Sequence, residues 1–181
     1  MNKILKGAVA GAAGVALLLG GAGTFALWNT TAVVNSGSIA SGTLNLVAGA
    51  TSWRDISPDK TAATISAIGS FKIVPGDKLE LTQVITVNAT GNNLAATLSV
   101  DDATITGALK SSLSPIVVTA TGTGVTAGTV ANTYAVTPQA TATTVTVKVI
   151  IELPSTVSGA TAQAQSLDLS VLGFKLAQNV R

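Results

Sequence analysis

The acidic residues are where this chain could do chemistry, because it has no histidine and no cysteine. That absence removes the Ser-His-Asp triad, the histidine-based zinc sites and thiolate nucleophiles. Asp101-Asp102 is the one adjacent acidic pair. It follows a strand pattern and reads as a solvated turn, since calcium needs roughly six to eight oxygen ligands. Asp55, Asp59 and Asp77 lie near loops and could add a weak calcium site, but their spacing gives it no support.

Other short patterns are weaker still. Gly122-x-Gly124-x-x-Ala127 superficially matches a dinucleotide fingerprint, which requires a strand-to-helix turn in a βαβ unit. No helix pattern follows, so a loop over Gly122 to Gly128 is expected. Leu153-Pro154-Ser155-Thr156 begins like a cell-wall sorting signal, but Val157 follows and the motif lies inside the domain. It reads as a strand end broken by proline. Trp53 reads as a core or rim residue rather than a ligand platform. Asn29-Thr30-Thr31 and Asn88-Ala89-Thr90 match glycosylation triplets, which chance explains in a Thr-rich chain. These residues predict no enzyme, no cofactor and no metal.

The elements that would carry these groups begin with an export signal. Lys3 and Lys6 precede an apolar run from Ala8 to Leu19, and small residues follow. That order is the n-region, h-region and exit of a secretory signal. Thr24-Phe25-Ala26 predicts cleavage between Ala26 and Leu27, with Ala22 as a second cut point. The alternative is an uncleaved anchor, since 7–28 is free of charge and a span takes ~20 residues. A short h-region with a Gly, Ala and Thr exit, and no basic flank after it, favours cleavage and no stable membrane span afterwards. Ten basic residues less Lys3 and Lys6 leave eight against eight acidic ones. The neutral body gives no electrostatic reason for a nucleic-acid partner.

After Leu27 the apolar spacing has a period of two. Leu79, Leu81, Ile85 and Val87 alternate, with Gln83 interrupting them; so do Leu94, Ala96, Leu98 and Val100. Val145, Val147, Val149 and Ile151 form a third set, and Leu167, Leu169 and Val171 a fourth, within a strand predicted over Ser166 to Leu176. One face of each is expected in a core and the other in water. Pro75-Gly76 suits a type II turn. Thr90-Gly91-Asn92-Asn93 suits a hairpin connection. The predicted fold is all-β: an antiparallel, jelly-roll-like β-sandwich over 27–181, preceded by a signal helix over 1–26.

The signal exit also carries a resemblance. Gly20-Gly21, Thr24 and Ala26, Trp28-Asn29 and Ser41-Gly42-Thr43-Leu44-Asn45-Leu46 resemble the TasA/camelysin-like family, exported by an alternate type I signal peptidase. Val74-Pro75-Gly76-Asp77-Lys78-Leu79 and TVNATGNNLAATLSV look like the actinobacterial branch. A weaker match is the Ser166-Leu167-Asp168-Leu169 segment. The long charged insertions and lysine-rich tail of TasA are missing, and Leu27 starts the mature chain where the family has a smaller residue. The resemblance implies Gram-positive secretion to the cell surface, a signal peptidase as partner during export, and a biofilm-matrix fibre or pilus-like homopolymer. The peptidase label attached to camelysin finds no ligand set in a chain without histidine.

The resemblance further implies a donor strand, Leu27, Trp28, Asn29, Thr30, Thr31, Ala32, Val33, Val34, Asn35 and Ser36, which completes a neighbour's sheet. An exposed apolar strand is an aggregation hazard unless it is used, and strand addition is one use. The same residues could instead fold back on their own sandwich, giving a secreted monomer. A module that binds cell wall or a host surface is the other reading, although 3% aromatic residues make a thin platform.

Overall fold

The computed structural model describes residues 2–4, 7–13, 38–101, 104–170 and 172–180. The chain divides into two units, Met1–Ile39 and Ala40–Arg181. In the first, residues 3–4 and 7–13 are helical and exposed. Among the described residues, no helix is long and apolar enough to cross a membrane. The predicted cut points at Ala22 and Ala26/Leu27, and the segment Leu27–Ser36, lie outside the described residues.

The second unit is an all-β sandwich. Its strands are β1 (Thr43–Asp55), β2 (Ala63–Ile65), β3 (Lys78–Thr90), β4 (Ala96–Asp101), β5 (Val117–Gly122), β6 (Val125–Ala127), β7 (Thr133–Val136), β8 (Thr143–Glu152) and β9 (Gly173–Gln178). One sheet has the order β2-β1-β3-β8-β5, the other β6-β7-β4-β9, and neighbours pair antiparallel. The chain changes sheet at most of its connections, the jelly-roll-like habit.

The period-two residues form the core. Leu81, Ile85, Val87 and Ala89 of β3 and Val145, Val147 and Val149 of β8 face Ala96 and Leu98 of β4 and Val136 of β7. Each such Val, Leu or Ile contributes roughly 1.5–3 kcal/mol through burial. Trp53 packs against this core from its rim.

Gln83 interrupts the apolar face for a structural reason. The register between β1 and β3 slips between Ala48 and Thr51, which leaves Gly49 and Ala50 out of the ladder as a bulge. The Gln83 amide fills it, donating from Nε2 to Gly49 O at 3.0 Å, Ala50 O at 3.3 Å and Val84 O at 2.8 Å.

The Val74-Pro75-Gly76-Asp77 turn has the predicted character. Asp77 N–H bonds Val74 O at 3.0 Å, and Gly76 has φ 101°, the region a type II turn requires at that position. β8 ends at Glu152, just before Leu153-Pro154.

Three sequence expectations need correction. Thr90-Gly91-Asn92-Asn93 is not a hairpin: β3 and β4 belong to different sheets, and Leu94 N–H bonds Gly91 O to turn the chain across the sandwich. The inner faces of both strands are apolar, so burial is satisfied across the sandwich rather than within one sheet. Gly122–Gly128 is not all loop. Thr123-Gly124 turns tightly and Val125–Ala127 pairs with β7. Nor does a strand run from Ser166: β9 starts at Gly173, and before it Asp168 makes one isolated bridge to Thr106. The Asp168 carboxylate accepts the Ser170 N–H at 2.9 Å, and Leu172 N–H bonds Leu169 O. These two local bonds turn the backbone where the alternation of Leu167 and Leu169 alone suggests a continuous strand.

Candidate functional site

At the end of the sandwich beyond its core, an apolar groove of about 810 Å³ runs between two irregular segments. Its floor is Leu79 at the start of β3, Ile151 and Leu153 at the end of β8, and Leu109. One wall is Ile68 to Pro75; the other is Val157 to Leu169. Among the described residues, Lys72 is the one charged residue lining it. The volume falls in the usual ligand-pocket range of roughly 300–1,000 Å³.

The first wall is held by the turn at its end. Gly76 N–H bonds Leu153 O at 2.8 Å and Leu153 N–H bonds Asp77 O at 3.1 Å. The Asp77 carboxylate also accepts the Val74 N–H at 2.9 Å. Beneath it, buried Ser57 donates through Oγ to Asp55 and accepts the Lys78 N–H at 3.0 Å. Lys60 Nζ lies 3.5 Å from Asp77 Oδ1 and 3.9 Å from Asp55 Oδ2. The Ser57 hydroxyl and N–H hold the Asp55 carboxyl below the usual aspartate value against the opposing effect of burial, with Lys60 adding to the lowering.

The second wall is held from the opposite side. Thr106 and Asp168 exchange both backbone bonds, at 3.2 and 2.7 Å, and Leu109 N–H bonds Ser166 O at 3.2 Å. Gly107 is needed for this approach. Its φ is 114°, and a Cβ there would sit 2.3 Å from Ser166 O. Hydrogen bonds from Ser170 hold Asp168 below its usual pKa as well.

The sequence-predicted groups distribute differently. Asp55 and Asp77 do come together, but around the Lys60 ammonium, while Asp59 is exposed. Among the described residues, no group of acids is arranged to hold a metal ion. Asp101 ends β4, and Asp102 lies outside the described residues. Asn88 sits within β3 opposite Asn45. Among the described residues, no helix follows Gly124. The local sequence does not reveal the groove. Its only signal is a pair of strand-like patterns, Phe71-Lys72-Ile73-Val74 and Ser166-Leu167-Asp168-Leu169, that acquire no full partner strand.

The sheet edges differ in how they are covered. The outer edge of β5 is closed by side chains: Asn132 Oδ1 accepts the Val118 N–H and Nδ2 donates to Ile116 O, both at 2.9 Å. Tyr134 Oη donates to Val118 O at 2.7 Å. β2 and β6 are each three residues long. On the other side, among the described residues, β2 pairs only with Trp53–Asp55 of β1. Among the described residues, the outer edges of Thr43–Ala50 and of β9 have no partner strand. A smaller cleft of about 450 Å³ lies between them, lined by Leu44, Leu46, Phe174 and Leu176 with Asn45 and Lys175.

Comparison with known proteins finds no matching family model, no matching curated protein and no matching solved structure.

Proposed function

We propose that this chain is an exported cell-surface structural protein, a fibre or biofilm-matrix subunit that joins to its neighbours by lending them the strand Leu27–Ser36. The observation that carries the reading is the uneven treatment of strand edges. Long unpaired edges invite a further strand, and folded proteins block those they do not use. Here the β5 edge is blocked by Asn132 and Tyr134, whereas the first part of β1 and all of β9 are left open among the described residues. Leu27–Ser36 lies outside the described residues. That segment is charge-free and rich in Val, Thr and Trp. Export and cleavage by a signal peptidase supply the step that frees its end. Head-to-tail strand donation then builds an open filament rather than a closed ring.

Electron microscopy of the exported protein tests this. Filaments of uniform width support the reading, and dispersed single particles at high concentration contradict it. The apolar groove favours a second reading, a monomeric secreted module that binds cell wall or a host surface. Cell-wall pull-down by a protein that stays monomeric would select it.

A further inference from the structure

We infer that the apolar groove at the end of the sandwich is a binding site for a single-chain anionic amphiphile, a linear hydrocarbon chain carrying a carboxylate head. The site uses neither the open edge of β1 nor that of β9, so it does not depend on whether the chain assembles.

The groove offers apolar surface that nothing in the sandwich covers. Its floor, Leu79, Leu109, Ile151 and Leu153, is buried. Its walls are not: Phe71, Ile73, Leu167 and Leu169 are each half-buried, around a space of about 810 Å³. A ligand that covers them gains in proportion to the apolar area it removes from water. The lining also selects the shape of that ligand. It is aliphatic, with Phe71 the one aromatic ring among the described residues that line it. A sugar or aromatic ring therefore finds little to stack on. A flexible hydrocarbon chain needs no such platform.

Charge sets the head group. Lys60 lies 3.5 Å from Asp77 Oδ1, and Lys78 lies 3.1 Å from Glu152 Oε2. Lys72 lines the groove and has no such partner among the described residues. The backbone N–H groups of Lys72 and Ile73 find no acceptor among them either. On the facing wall the amide donors are used locally. Gln163 Nε2 donates to Gly159 O at 3.1 Å, and Gln165 Nε2 donates to Thr161 O at 2.8 Å. Asp168 stands between two lining leucines but does not line the groove; its carboxylate accepts the Ser170 N–H. One wall thus carries a positive charge and unmatched donors, the combination that holds a carboxylate most strongly. Lys72 is exposed. A carboxylate paired with it stays in contact with water while the chain enters the groove, so no bare charge is buried.

Equilibrium dialysis of the exported chain against dodecanoate, kept below micelle-forming concentrations, tests this. One saturable site per chain is expected. Octanoate should bind at least about tenfold more weakly, since each buried methylene is worth up to about fourfold. Dodecyltrimethylammonium, with the same chain and the opposite charge, should also bind more weakly than dodecanoate. Lys72→Glu changes an exposed side chain and should weaken dodecanoate binding about three- to tenfold. Lys175→Glu, in the smaller β1/β9 cleft, should leave it unchanged. Ala162→Trp fills the groove from its wall and should abolish binding while the urea midpoint is retained. Uptake without saturation, equal affinity for the two head groups, or full affinity in Lys72→Glu overturns the inference. Capture by phosphatidylglycerol vesicles with no uptake of free dodecanoate also overturns it, and makes this face a membrane contact instead.

Discussion

Asn132 holds Val118 by its edge: Oδ1 accepts the Val118 N–H at 2.9 Å while Nδ2 donates to Ile116 O one turn of the pleat away. One amide therefore occupies the place a neighbouring strand would take. Asn132 has φ 60°, a backbone region that asparagine tolerates better than most residues. Replacing it with glycine keeps that backbone and deletes the amide. Asn132→Gly is expected to lose about 1–2 kcal/mol in urea unfolding, since two modest hydrogen bonds go. Amide exchange at Val118 should accelerate, and chains should associate side by side through β5.

Gln83 gives a prediction that runs against simple patterning. Leucine at this position would restore the apolar alternation of β3. It would also strip partners from Gly49 O, Ala50 O and Val84 O. Gln83→Leu is expected to destabilise by about 1–3 kcal/mol, the cost of leaving part-buried acceptors unpaired. Chemical denaturation checks this, and a gain in stability would show that the bulge does not depend on the amide.

Core truncation at the facing sheet should cost more. Leu98 is 2% exposed and sits in the central cluster. Leu98→Ala is expected to lose about 2–5 kcal/mol through lost burial and a residual cavity, read as a lower urea midpoint with an unchanged slope.

Asp55 makes stability depend on acid pH. Ser57 holds its carboxyl below the usual value in the folded chain, so the unfolded chain binds a proton more readily. The stabilisation is present above the ordinary aspartate pKa of ~3.9 and is lost as pH falls through the lower folded value. The urea midpoint should therefore fall between about pH 6 and about pH 3, by less in Asp55→Asn than in the unsubstituted chain. Equal falls in both proteins would remove Asp55 from the account.

Much of the sandwich is legible in the sequence because burial on one face imposes a period of two. β3, β4 and β8 appear where Leu81, Leu98 and Val147 alternate with polar neighbours. The Val74–Asp77 turn is legible because proline and glycine prescribe its backbone. What is not legible depends on distant partners. Nothing local to Gly91 says that β3 and β4 join different sheets, and nothing local to Leu167 says that Asp168 will turn the chain toward Thr106. Gln83 looks like a flaw until Gly49 and Ala50, more than thirty positions earlier, are in place. The groove escapes for the same reason, since its walls come from segments nearly a hundred residues apart. Asp55, Asp59 and Asp77 are legible only as acids near loops; that Lys60 draws Asp55 and Asp77 together and leaves Asp59 out depends on the folded chain.

The most direct measurement is light scattering behind size exclusion on Leu27–Arg181 and on a chain starting at Gly37. Strand donation predicts large assemblies from the first and folded monomer from the second. Folded monomer from both would contradict the proposed assembly. Unfolding of the shortened chain alone would place Leu27–Ser36 in its own sandwich, also against donation.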